Sequence, residues 1–268
     1  MEHAVAGVAA GAFGTLLGYP MEVVKTTMQA GNQASAFGTV RQILQSDGLG
    51  GLYRGVALPL AALTVLNAQT FAMHNFISAQ LQKQGTPQPI VPALAGACCA
   101  PFASLISTPL ELLKVRIALR VEPNTLAALR AAWRNGIYVG HGVNTVREAV
   151  FLGAYFGVYH RVKQSFTPPG SQTPAYGVAV SGGAAGAAGW LLSFPFDCVK
   201  THLQKAVSEK RQTAIQTARQ LIRDRGFLGL YRGMGPSIAR ACVVSSSRFG
   251  VYELVLGALR SEGAEPPR

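Results

Sequence analysis

The sequence predicts an all-α membrane protein made of three similar thirds, each with two membrane-spanning helices. Three observations predict this. A Pro-x-acid-x-x-Lys motif occurs three times at near-regular spacing. A Gly-x-Tyr-x-Gly element follows each copy. Six stretches of low charge alternate with these signals, each near the roughly 20 helical residues that a bilayer requires. Composition agrees, since 13% of the 268 residues are charged, about half of the roughly 25% usual in soluble domains. With 49% hydrophobic residues, a disordered chain is excluded, and an ordinary soluble enzyme fits poorly. The 30 glycines follow no G-X-Y period, which excludes collagen.

The motifs are Pro20-Met-Glu22-Val-Val-Lys25, Pro109-Leu-Glu111-Leu-Leu-Lys114 and Pro195-Phe-Asp197-Cys-Val-Lys200. Their prolines lie 89 and 86 residues apart, too far for a solenoid unit, and divide the chain into repeats 1–85, 86–170 and 171–268. The second elements are Gly51-Leu-Tyr-Arg-Gly55, Gly136-Ile-Tyr-Val-Gly140 and Gly229-Leu-Tyr-Arg-Gly233. The first span of each pair runs into its proline motif, at 3–24, 90–113 and 176–199. The second follows the tyrosine element, at 56–77, 140–159 and 234–258. Gly7, Gly11, Gly14 and Gly18, and Gly182, Gly186 and Gly189, mark faces for close helix approach.

Sixteen of the 24 basic residues fall between the two spans of a repeat, whereas the opposite loops hold only Lys83, Arg161 and Lys163. The positive-inside bias then places the long loops in the inner compartment and both termini on the other side. The net charge of +12 is thus mostly a topology signal. Nucleic-acid binding is the weaker reading, because no basic run is interleaved with stacking aromatics. Cys98, Cys99, Cys198 and Cys242 form no CxxC pair and predict structural thiols, with no metal and no cofactor. Glu2 and the lack of a basic n-region speak against a signal peptide. His3, His74, His141, His160 and His202 suggest no nucleophile and base, so no enzyme is expected.

These residues resemble the mitochondrial carrier family. Its signature is Pro-x-[Asp/Glu]-x-x-[Lys/Arg], then an acidic-Gly element, then aromatic-basic-Gly, three times over nearly the whole chain. The resemblance implies six tilted transmembrane helices in a threefold pseudosymmetric barrel, with three short matrix helices, in the inner mitochondrial membrane. It implies a monomer working by alternating access. A matrix gate of Glu22–Lys114, Glu111–Lys200 and Asp197–Lys25 follows, braced by Gln29 and Gln204, with Ala118 in the brace position of the second repeat. Prolines inside a helix remove a backbone hydrogen bond and can converge the three helices.

The family's second gate, on the even-numbered spans, is degraded here. It reads His74-Asn75-x-x-Ser78, Tyr159-His160-x-x-Lys163 and Tyr252-Glu253-x-x-Leu256, which leaves Lys163 and Glu253. A weak cytoplasmic gate is expected. Cardiolipin anchoring, implied at Gly48 and Arg54 and at Gly226 and Arg232, is expected to be uneven, because Val139 replaces the arginine of the other repeats and Arg225 stands where the first repeat has Asp47. The Gly48 and Gly226 amides are expected to hold lipid phosphate, as helix N-termini do.

The even spans carry Arg147, Glu148, Arg240, Arg248 and Glu253. Each costs about 2.5–3.5 kcal/mol at the bilayer centre on insertion scales, so idle placement is not expected. In the family, the positions of Ala62, Arg147 and Arg240 contact substrate. Arg147-Glu148 resembles the pair of the amino-acid and carnitine branch, and Trp190 falls where basic-amino-acid carriers place a tryptophan. Those carriers have an acid just before the position of Asn67; this chain has Leu66. The expected cargo is therefore a carboxylate-bearing zwitterion: an amino acid, a methylated amino acid, a betaine or a carnitine-type compound. A keto or dicarboxylic acid held by the same arginines is the alternative, and a carrier-fold protein that no longer transports is another.

Overall fold

The computed structural model describes residues 2–31, 35–167, 173–206, 212–241, 243, 244, 247 and 251. Its helices are α1 (Glu2–Ala30), α2 (Ala36–Asp47), α3 (Ala57–Lys83), α4 (Val91–Ala118), α5 (Thr125–Asn135), α6 (His141–Ser165), α7 (Ala175–Lys205) and α8 (Ala214–Arg225). A ninth, α9, starts at 234 and is described to 241. The expected spans fall within α1, α3, α4, α6 and α7 and at the start of α9. The short helices α2, α5 and α8 lie between the members of each pair. By length and hydropathy, α4 and α7 qualify as membrane-crossing, and α3 with the turn before it is a third candidate. Asn144, Arg147 and Glu148 lower the hydropathy of α6.

The helices form two compact units. One is Met1–Thr64, Leu113–Leu129 and Arg232–Arg268; the other is Val65–Leu112 and Arg130–Tyr231. Within the first, Tyr19, Val23, Val24 and Met28 of α1 pack on Ile43 of α2 and Leu52 of the 3-10 turn Leu49–Tyr53. Within the second, Cys198 and Val199 of α7 pack on Leu221 of α8 and Leu230 of the turn Phe227–Tyr231. The same positions after the motif proline are buried in both cases, as the repeat predicts. Serine 35 and Thr213 cap α2 and α8 by accepting hydrogen bonds from Gly38 and Gln216 N–H groups, satisfying donors that a helix start leaves open. Among its described residues the second repeat has no 3-10 turn: α5 ends at Asn135 and Gly136, at φ 97°, reverses the chain. This accommodates its shorter spacing.

Each tyrosine element ends in a glycine of positive φ, at 79° for Gly55, 77° for Gly140 and 89° for Gly233. A Cβ on Gly55 would lie 3.6 Å from Ile117, on Gly140 3.6 Å from Gln204, and on Gly233 3.1 Å from the Lys25 carbonyl. Backbone conformation thus requires glycine at all three positions, and at Gly233 the close Lys25 carbonyl adds a steric reason.

Small residues also set the α4–α6 crossing, where a Cβ on Gly96 would come within 2.5 Å of the Leu152 carbonyl oxygen. Gly157 lies against Ala93 in the same interface. Of the glycines that the sequence marks for close approach, Gly18 packs tightly, since a Cβ there would overlap the Val244 side chain; Gly182 and Gly186 do not. A Cβ at either meets no described atom within 4 Å, and only Gly189 of that series packs tightly, against Phe151. Four-residue spacing identifies a small-residue face but not which side of the helix its neighbour occupies.

Candidate substrate and gate site

In the first unit, Glu22 is 8% exposed and receives two cations. Lys114 Nζ donates to Oε1 at 2.5 Å, and Arg240 Nε lies 3.3 Å from Oε2. Lys25 and Gln29 are buried beside Gly233. Tyr19, just before Pro20, stacks on Tyr53 and donates its hydroxyl to the Arg54 carbonyl at 2.8 Å. That contact ties the motif proline to the tyrosine element.

The second unit repeats this scheme with more members. Lys200 Nζ donates to Glu111 Oε2 at 2.6 Å, while Arg147 Nη2 is 3.5 Å from Oε1 of the same carboxylate. Arg147 also pairs with Glu148, its chain neighbour, and its Nε is 3.9 Å from Asp197. Lys200 lies 3.6 Å from Asp197. Charges at this depth persist only when compensated by partners, and each of these is.

The expected pairs Glu22–Lys114 and Glu111–Lys200 are therefore both formed. The third expected pair is Asp197–Lys25; Asp197 belongs to the second unit and Lys25 to the first. The repeat geometry also explains why Arg147 has two proline-motif acids. Arg240 meets Glu22 of the next repeat in cyclic order, and Arg147 likewise reaches Asp197 of the next repeat. The remaining equivalent position is the buried Ala62, which offers no cation, and Arg147 serves Glu111 as well.

Other expected residues are placed as follows. Gln204 is fully buried against Gly140. Trp190 sets its ring edge-to-face on Phe151, with centroids 5.4 Å apart, so it packs α7 on α6. Asn67 is exposed. Lys163 holds its ammonium 5.7 Å over the Tyr159 ring, a cation–π arrangement. Arg248 and Glu253 lie outside the described residues.

The lipid expectation needs correction at its amides. Gly48 N–H donates to the Leu44 carbonyl at 3.0 Å and Gly226 N–H to the Ile222 carbonyl at 2.9 Å. Both close the preceding helix as C-caps, so neither is available to a phosphate. Arg54 is committed to Asp47 at 2.8 Å, an acid that also takes Arg120.

Sequence reasoning missed Asn144, which is fully buried. Its Nδ2 donates to Ser107 Oγ at 3.0 Å and Thr108 Oγ1 at 2.9 Å. Its Oδ1 accepts from Arg147 Nε at 3.1 Å and Lys200 Nζ at 3.4 Å. An uncharged amide escapes a search for intramembrane charge, and its repeat equivalents, Pro59 and Ser237, carry no amide to repeat the pattern.

Comparison with known proteins fits this architecture. The family model for mitochondrial carrier protein matches residues 1–85, 86–169 and 171–263. The mitochondrial arginine transporter of Arabidopsis thaliana is 33% identical over 98% of this chain and 93% of its own length. The mitochondrial basic amino acids transporter of Bos taurus is 29% identical over 97% and 93%. The electrogenic aspartate/glutamate antiporter of Homo sapiens is 30% identical over 97% of this chain and 42% of its own length. Three matched repeats, each with its proline motif, together with the acid–lysine pairs Glu22–Lys114 and Glu111–Lys200, have one explanation: the chain belongs to the mitochondrial carrier family, whose members are multi-pass transporters of the inner membrane and not enzymes.

Proposed function

We propose that this carrier moves a small carboxylate-bearing zwitterion, an amino acid or a methylated, betaine or carnitine-type relative. The observation that carries the reading is the buried pair Arg147–Glu148, whose side chains are 8% and 14% exposed. A solute carboxylate that takes Arg147 strips Glu148 of its adjacent cation. Leaving a buried charge without its partner is strongly destabilising, by about 3–5 kcal/mol in typical cases. A solute that also brings an ammonium replaces the lost cation, so a zwitterion can enter between the two residues where a plain dianion cannot. The relatives agree, because the arginine, glutamate, aspartate and basic amino acids in their names share an α-ammonium and an α-carboxylate.

Arg240 is the second carboxylate holder in this reading, and Glu22–Lys114 and Glu111–Lys200 are pairs that break when the matrix side opens. The loop charge supports a topology with both termini in the intermembrane space; protease accessibility of terminal tags in intact mitoplasts tests this.

Proteoliposomes containing the purified carrier test the substrate. Uptake is measured for radiolabelled arginine, glutamate, glycine, carnitine, glycine betaine, malate and ADP, with wild type and Glu148→Gln. Zwitterion uptake abolished by Glu148→Gln supports the reading. Uptake of malate alone, undiminished by Glu148→Gln, overturns it in favour of a dianion.

A further inference from the structure

The substrate-position arginine and the gate lysine of the second unit are joined by one side chain. Asn144 Oδ1 accepts from Arg147 Nε and Lys200 Nζ, at 3.1 and 3.4 Å. On the far side, Glu111 takes Arg147 on Oε1 at 3.5 Å and Lys200 on Oε2 at 2.6 Å. Asn144, Arg147, Glu111 and Lys200 therefore close a ring. The amide orientation is fixed from below, because Nδ2 is spent on the Ser107 and Thr108 hydroxyls of α4. Only the oxygen can face two cations, and Asn144 is fully buried, so no water competes for it.

We propose that Asn144 is the positioning residue that transmits solute binding at Arg147 to the Lys200–Glu111 gate pair. The proposal rests on the reading that Arg147 receives the solute carboxylate. When the guanidinium turns to a solute, Asn144 Oδ1 and Glu111 Oε1 each lose a donor. Glu111 and Asp197 lose a cation that screens one from the other. Lys200 is then held by a ring with one side missing. Buried polar networks respond as units rather than as separate pairs, so the loss at Arg147 is felt at Lys200. The amide device belongs to the second repeat, because Pro59 and Ser237 occupy the equivalent positions and the Ser237 hydroxyl is turned to the Gly233 carbonyl at 3.0 Å.

The test compares Asn144→Ala, Asn144→Asp and the staple variant Ser104→Ala in proteoliposomes, using whichever radiolabelled solute of the above panel wild type carries. Asn144→Ala cuts the link. It is expected to lower Vmax about tenfold with KM unchanged or lower, the signature of a lost step after binding. Asn144→Asp adds a carboxylate that competes with the solute for Arg147, and is expected to raise KM. Ser104→Ala removes only a helix staple, the α4–α6 contact of Ser104 Oγ with Thr145 Oγ1 at 2.7 Å, which touches no member of the ring, and is expected to stay close to wild type. Combining Asn144→Ala with Glu111→Gln is expected to cost little more than the worse single variant, because partners in one network are not additive.

A staple variant that reproduces the Asn144→Ala loss overturns the proposal in favour of a structural role. So do KM shifts in the same direction for Asn144→Ala and Asn144→Asp, or effects that multiply in the combined variant. If Asn144→Ala does not reconstitute, Asn144→Asp against the staple variant decides by the same criterion. A wild type that carries only malate overturns the zwitterion reading and leaves the Asn144 comparison intact, run on malate. A wild type that carries nothing overturns both.

Discussion

Arg240 Nε lies 3.3 Å from Glu22 Oε2, on the carboxylate whose other oxygen holds Lys114. A residue of the last repeat thereby shares the proline-motif acid of the first. Glu22→Gln removes the charge that both cations face, and breaking a buried ion pair from one side costs on the order of 3 kcal/mol. A clear drop in thermal unfolding midpoint in detergent, with loss of uptake, is expected. Glu22→Asp should recover part of both. An unchanged midpoint would show that Lys114 and Arg240 do not depend on this carboxylate.

The α4–α6 crossing makes a sharper packing prediction. A Cβ on Gly96 would sit 2.5 Å from the Leu152 carbonyl oxygen, an atom that belongs to the helix backbone and cannot rotate away. Gly96→Ala should destabilise by about 1–3 kcal/mol, as overpacking does. Gly182→Ala meets no described atom within 4 Å and should be neutral or slightly stabilising. Equal melting curves for the two variants would contradict the placement of Gly96.

Gly233 combines φ of 89° with a backbone carbonyl 3.1 Å from where its Cβ would be. Gly233→Ala is expected to cost about 1–2 kcal/mol from conformation alone, with an added steric cost. Gly85 also has positive φ, 77°, but meets nothing within 4 Å. Gly85→Ala should therefore show only the conformational part, and the difference between the two in unfolding midpoint measures the steric part.

Asp47 pairs with both Arg54 and Arg120 at a partly exposed site. Such surface pairs contribute little, roughly 0–1 kcal/mol. Asp47→Asn should leave stability nearly unchanged while releasing both arginines. An increase in binding to cardiolipin-containing vesicles, relative to wild type, is the expected consequence. Loss of vesicle binding would mean that Asp47 supports a lipid site rather than masking one.

Much of this protein is legible before any coordinates. The three proline motifs locate the helices, and the family resemblance that they carry implies the pairs Glu22–Lys114 and Glu111–Lys200 that the structure forms. The low charge of the spans makes Arg147, Glu148 and Arg240 conspicuous. Repetition encodes these features, because a contact that recurs at a fixed period leaves a pattern in one dimension. Contacts that occur once leave none. The sharing of Glu111 between Arg147 and Lys200, the central place of Asn144, the seat of Trp190 on Phe151 and the capture of the Gly48 and Gly226 amides by their own helices all lack a periodic counterpart. They depend on where side chains of different helices arrive once Gly96 and Gly157 have set how closely α4 and α6 pack. The sequence by itself determined the elements and the charges they carry; only the tertiary structure decided which charge faces which, because an ion pair forms at 3 Å and helix crossing sets that distance.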